Sequence, residues 1–197
     1  MRKGEKTRQK IVEKAAAIFN QNGFAGFSMS ELMKSTGLEK GGIYRHFESK
    51  EQLASEAFEY AWRQALQARM SNLGATSNSV DWIKELVGNF VRRRSPVPGG
   101  CPLLNTAIDA DDGNPLLRHL ALKALHGWRD DVSEVVQRGI ERKEIQRGVN
   151  PREVAGIIIS TLEGGLMMSR LEGNRKTLSS IQSHLNRYLD TQVRQQA

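Results

Sequence analysis

The sequence predicts an all-α protein of about nine helices in two parts, a three-helix helix-turn-helix unit at the N-terminus and a larger helical portion after it. Three observations carry that expectation. Apolar residues recur at three- and four-residue spacing nearly throughout, with no alternating segment long enough to make a strand. Helix-start signatures recur as well: Ser28 with Glu31 and Ser49 with Gln52 form capping boxes, and Asn114-Pro115 and Asn150-Pro151 place proline at a first helical position. Finally, residues 1–50 hold ten Lys or Arg against five Asp or Glu, and the remainder nineteen against seventeen, within a net charge of +7. Charge concentrated in the first quarter of the chain points to an anionic partner there, which a uniformly basic surface would not.

The first helix is expected over residues 5–22, with Ile11, Ala15, Ile18 and Phe19 on one face and Gly23 as its stop. Ser28 opens a short second helix ending at Thr36-Gly37, with Phe27 and Leu32 as a hydrophobic staple. Leu38 is an anchor before a third helix over Glu39–His46, and Ser49 opens a long fourth over Lys50–Arg69. Two short helices joined by a tight glycine-containing turn make a helix-turn-helix, whose core draws on Phe19, Phe24, Leu32, Leu38, Ile43 and Phe47. Residues 71–79 read as a polar connection. Further helices are expected over Val80–Arg94, Leu103–Ala110, Pro115–Arg142, Pro151–Leu171 and Leu178–Val193. The domain boundary is expected at residue 50, giving parts 1–50 and 51–197.

With 197 residues the chain buries a core without covalent staples, and 39% apolar residues together with 18 glycines exclude wholesale disorder. The single cysteine, Cys101, excludes an intramolecular disulfide and a thiolate zinc site. No apolar stretch precedes Ile11-Val12, so a secretory signal is not expected, and no apolar run is expected to reach the ~20 residues of a membrane span. These features predict a cytoplasmic protein.

The opening third carries a recognisable spacing: Ile11-Val12, Ala15-Ala16, Phe19, Gly23-Phe24, Ser28, Leu32, Gly37-Leu38, Gly42-Ile43-Tyr44, His46-Phe47, Ser49-Lys50-Glu51 and Leu53. This resembles, without gaps, the N-terminal domain of the tetracycline-repressor (TetR) family of bacterial regulators. The later helices match that family only in number and arrangement. Met33, Glu39 and Gly42 depart from its usual small residue, serine cap and hydroxyl residue, which bears on the operator sequence and not on the fold.

The resemblance implies a transcriptional regulator that binds double-stranded operator DNA as a homodimer, most simply a repressor released by a small, largely apolar effector. The third helix would be the recognition helix, with Lys40, Gly41, Gly42, Tyr44, Arg45 and His46 facing DNA. Lys40 and Arg45 suit phosphates or guanine edges. Two adjacent glycines are unfavourable in a helix by about 1 kcal/mol each, so they suggest close approach of the backbone to the groove. By resemblance, Tyr44 and His46 contact phosphates. Lys50 and Ser28 stand at helix starts, where free N–H groups favour a phosphate.

The helix after Pro151 is apolar on most sides, so it needs cover on two faces. Ile158, Leu162 and Gly165, with Ile181, Leu185 and Leu189 of the last helix, are expected at a dimer interface, a wholly intramolecular core being the alternative. An effector cavity is implied mainly by the resemblance. Trp82, Phe90, Leu104, Leu120, Trp128, Met167 and Met168 would line it, with Asn105 and His119 as polar groups, although each also suits plain core.

No cofactor or metal is expected. His119 and His126 lie seven residues apart on one helix, too far to chelate one ion, and Glu163, Glu172 and His184 form no catalytic set. Cys101 reads as an inert buried thiol, with an oxidant sensor beside Arg92, Arg93 and Arg94 as the alternative. The readings from other classes are an architectural DNA protein without an inducer and a small helical enzyme. Operator, effector, regulated genes and the sign of regulation are not legible in the sequence.

Overall fold

The computed structural model describes residues 2–75 and 78–196, which fold into nine α-helices in the expected order. They are α1 (Lys3–Gly26), α2 (Met29–Thr36), α3 (Lys40–Tyr44), α4 (Lys50–Met70), α5 (Ser79–Arg92), α6 (Pro102–Asp109), α7 (Pro115–Glu141), α8 (Pro151–Leu171) and α9 (Lys176–Tyr188). A short 3₁₀ turn covers Leu73–Ala75. Among the described residues the one β-bridge pairs Ile145 with Arg194.

Most helix starts follow the expected chemistry. Ser28 Oγ accepts from Glu31 N at 3.3 Å, and Ser49 Oγ accepts from Gln52 N at 3.0 Å. The second box is displaced by one residue, because Gln52 Oε1 accepts from Glu48 N at 2.6 Å and not from Ser49. Asn114 Oδ1 accepts from Leu117 N, and Asn150 Oδ1 from Arg152 N and Glu153 N, so both Asn-Pro pairs work as read. An unexpected cap opens α5: Asn78 Oδ1 accepts from Val80 N at 2.9 Å and Asp81 N at 3.3 Å. The last helix stops early, at Tyr188, where the chain widens into a π turn over Leu189–Val193. Lys84 Nζ holds Asp190 at 2.5 Å and Arg194 pairs with Asp81, and these ion pairs fix that turn onto α5.

Internal contacts divide the chain into two compact units, neither of them one continuous stretch. One holds residues up to Leu66 together with Ser95–Ala124; the other holds Gln67–Arg94 and everything from Leu125 onward. The first unit is therefore wider than residues 1–50, because α6 packs on α1. Its core is built from Ile11, Ala15, Phe19, Phe27, Leu32, Ile43, Phe47, Leu53 and Phe58, all buried. Phe24 and Leu38, expected in that core, are only half-buried, and Phe27 fills the interior instead. Gly23 explains the change. It leaves the helical region (φ 72°), breaking α1 so that Phe24 N donates to Asp109 Oδ2 at 2.7 Å.

Asn20, on α1, is buried and organises the chain after Ser95. Its Nδ2 donates to Pro98 O at 2.7 Å, while Asn105 Nδ2 donates to Asn20 O at 2.9 Å and Gly99 O at 2.9 Å. Buried amides of this kind cost free energy unless satisfied, so the network fixes the loop's path as well as its position.

In the second unit, Ile83, Leu86 and Val87 of α5, Val132 and Val136 of α7, and Ile158 and Leu162 of α8 are buried with Leu178 and Leu185 of α9. By length and composition α8 is long and apolar enough to cross a bilayer, contrary to the sequence expectation. Its apolar residues Val154, Ala155, Ile158, Ile159 and Leu162 are buried, and it packs on α5 and α9.

Candidate nucleic-acid interface

The helix-turn-helix is α2, the turn Gly37–Glu39, and α3. Thr36 Oγ1 donates to Leu32 O at 2.7 Å, and Lys10 Nζ donates to Thr36 O at 3.0 Å, so a side chain from α1 closes the end of α2. The third helix is shorter than expected, five residues, and Arg45 and His46 follow it in a turn. Ile43, fully buried, is its anchor. The opposite side is open. Lys40, Gly41, Tyr44 and Arg45 are exposed, and Gly42 and His46 are partly so.

Neither glycine of α3 is required by packing inside the chain. A β-carbon on Gly41 would meet nothing within 4 Å, and one on Gly42 would touch only Leu38 at an ordinary 3.7 Å. The pair thus leaves a bare stretch of backbone between two long side chains. Lys40 Nζ stands 5.9 Å from the Tyr44 ring centroid. At the start of α4, Lys50 Nζ lies 4.7 Å from the Phe24 ring and 5.7 Å from the Phe27 ring. Those π faces hold the ammonium beside the first turn of α4. Arg8 is held similarly, over Phe47 at 4.7 Å and paired with Glu56 at 2.5 Å. Lys50 and Arg8 are thus partly ordered cations of the same unit as the glycine step.

Residues 11–57 match the family model of bacterial regulatory proteins, tetR family, and residues 80–185 match that of the tetracyclin repressor-like C-terminal domain. A TetR transcriptional regulator from Chloroflexus aurantiacus J-10-FL has the same fold at a TM-score of 0.94, with 44% identity covering 100% of both chains. This chain belongs to the TetR family. As a member it is a helix-turn-helix transcriptional regulator. The repressor DhaR of Mycobacterium sp. (strain GP1) is 24% identical over 139 residues, 70% of this chain and 69% of that protein. A cysteine-substituted CifR, a TetR family regulator complexed with 26-base-pair operator DNA, shares the fold at a TM-score of 0.79 and 21% identity, covering 91% and 94% of the two chains.

The residues expected to line an effector cavity of this TetR-family chain fall in both units. Leu104, Asn105, His119 and Leu120 belong to the first unit, and Trp82, Phe90, Trp128, Met167 and Met168 to the second. Asn105 is engaged by Asn20 and Gly99, which corrects its reading as a ligand-facing amide. His119, Met167 and Met168 are exposed, also against expectation, because the helix faces that carry them point outward. Trp82 lines an open groove with Leu73, Asn78, Val135 and Arg138. Phe90 and Trp128 meet, with parallel rings 6.1 Å apart. Sequence reasoning missed the group that joins them, Arg69, since an arginine in a helix's last turn is usually solvated.

The dimer residues need a similar correction. Ile158, Leu162, Leu185 and Leu189 are fully buried within one chain, and Gly165 is buried where a β-carbon would collide with Ile181. Five of the six lie on α8 and α9, which pack on each other within one subunit, and Leu189 opens the π turn that follows. The outward side of α8 carries Ile157, Thr161, Gly164, Met168 and Leu171, at spacings of four and three. Leu171 is 83% exposed and Met168 46%, and nothing lies within 4 Å of a β-carbon on Gly164.

Cys101 is 1% exposed. A thiol so buried lacks the access a redox sensor needs. Of the arginines close to it in sequence, Arg92 pairs with Glu85 at 2.6 Å and Arg93 donates to Asn89.

Proposed function

We propose that the chain is a homodimeric repressor whose α2–α3 face binds a roughly palindromic operator and is released by a small-molecule effector held in residues 51–197. One observation carries the DNA-binding face: the Gly41-Gly42 step, open on its outer side and flanked by the exposed Lys40 and Arg45. Lys40, Gly41, Gly42, Tyr44, Arg45 and His46 meet the major groove and its rims, while Ser28 and Lys50 contact phosphates at helix starts. The DhaR name supports repression, and the operator-bound CifR supports DNA binding by this fold. Release follows as a population shift: the effector prefers a dimer whose recognition helices are wrongly spaced for two half-sites.

Lys50 gives a direct test of the phosphate role. Lys50→Ala weakens binding to operator and to random DNA alike, and lowers the slope of log affinity against log salt by about one unit per half-site. An unchanged slope removes Lys50 from the interface.

The dimer uses the outward stripe of α8 in place of the buried residues. The protein sediments at about 44 kDa, twice the 22.1 kDa chain. Leu171→Glu with Met168→Glu shifts it to monomer at micromolar concentration, while helicity is retained. A pair of charges that leaves the dimer intact refutes this face. Sequencing the DNA fragments that co-purify with the protein then separates the readings. One site beside a gene fits a repressor; dispersed binding with no effector response fits an architectural protein.

A further inference from the structure

The least ordinary group in the second unit is Arg69. Its side chain is 9% exposed, and it faces Glu163, 10% exposed, at 3.6 Å between Nη2 and Oε1. The guanidinium carbon lies 4.5 Å from the Phe90 ring centroid and 4.7 Å from that of Trp128. Three cation-favouring groups therefore surround one cation: two parallel π faces and a carboxylate. The four side chains come from the end of α4, from α5, from α7 and from α8.

Stability alone is a weak reason to keep such a set, because a buried ion pair replaced by apolar residues of similar volume is often no less stable. A cation held over aromatic faces is, by contrast, the arrangement that recognises organic ammonium and guanidinium groups. The main chain of Arg69 is fixed separately, since Asn89 Nδ2 donates to its carbonyl at 3.0 Å. The flexible side chain can thus leave while the backbone stays.

The geometry points to a cation receptor that holds its own Arg69 as a place-holder: the effector class is a small organic cation, which enters by displacing the guanidinium from between Phe90, Trp128 and Glu163. This rests on the effector-released repressor reading and names the ligand class for it. An anionic ligand would have to sit against Glu163 and two electron-rich ring faces, so the cage disfavours it. Binding also has a built-in competitor, because every cation that enters must evict Arg69. Wild-type affinity is accordingly reduced by the fraction of molecules in which the cage is empty.

Emptying the cage tests this in the full-length protein. Arg69→Ala should bind choline about tenfold or more tightly than wild type, the competing side chain having been removed. Its neutral isostere, dimethylbutanol, should bind neither. Methylguanidinium, which restores the missing head group, should raise the melting temperature of Arg69→Ala with concentration and move wild type only at about tenfold or higher concentration. Adding Trp128→Leu or Glu163→Gln to Arg69→Ala should abolish both responses. If Arg69→Ala does not fold alone, recovery of its helical circular dichroism by methylguanidinium reads the same site. Absence of any cation-specific response, equal response to dimethylbutanol, or a response that survives Trp128→Leu overturns the cage. Stabilisation of wild type by benzoate in place of choline overturns it too. Operator release is read separately. Choline binding without release leaves the cage and refutes its place in regulation, whereas release only by compounds that ignore the cage keeps the repressor and refutes the cage.

Discussion

Gly42→Val is expected to abolish operator binding while the helical fold survives. Valine is a better helix former than glycine, so the substitution does not weaken α3. Its β-carbon meets only Leu38, at an ordinary 3.7 Å, so the core beneath is undisturbed. What changes is the outer side, where two added methyl groups stand between the backbone and whatever approaches it. At a protein–DNA interface that displacement removes contacts to base edges and phosphates together. Circular dichroism and operator titration decide it. Normal helicity with no binding up to micromolar protein is the expected result; wild-type affinity would mean that the groove stays clear of this backbone.

The second large effect concerns the loop before α6. Gly99 has φ 109°, a region that side chains rarely enter, and a β-carbon there would lie 2.5 Å from the backbone oxygen of Asn20. Gly99→Ala therefore combines backbone strain of about 1–3 kcal/mol with a clash against main chain, which cannot rotate away. The loop must shift, and with it the acceptors of Asn20 and Asn105. The melting temperature is expected to fall by roughly 5–10 °C, from the size of that cost in a chain of this length. Gly113→Ala, in the same unit, is the control: its β-carbon meets only Asp109 O at 3.6 Å. Equal melting curves for the two variants would remove the strain argument. Loss of operator affinity in Gly99→Ala at temperatures where it stays folded would show that α1 is held in its DNA-binding position by this loop.

Much of the fold was legible because its signals are local. The Ser28 and Ser49 caps, the two Asn-Pro pairs and the glycine-containing turn each act within about four residues, so their effect is readable without knowing the partner. The α8 limits, Pro151 and Leu171, were read without error for the same reason. The cap at Asn78 is not legible in the sequence, because the surrounding residues read as a polar connection. The π turn after Tyr188 had no local cue; ion pairs from Lys84 and Asp81, more than a hundred residues earlier, hold it. On the outer side of α3, Lys40, Gly41, Tyr44 and Arg45 are exposed and Gly42 and His46 partly so, since an outward face is the complement of a local apolar pattern.

By itself, then, the sequence determined the helical class, the order of the elements, the helix-turn-helix and the sign of its charge, all consequences of periodicity and short-range capping. Only the tertiary structure decided which side of an apolar helix is covered. Ile158 and Ile157 are adjacent and equally apolar, and the packing of α8 on α5 and α9 makes the first an interior residue and leaves the second half-exposed. It also decided that Asn105 holds a loop, and that Arg69 lies over Phe90 and Trp128 beside Glu163. Such choices depend on contacts between residues tens of positions apart. Their energies come from burial and desolvation, which have no value until the chain has closed around them.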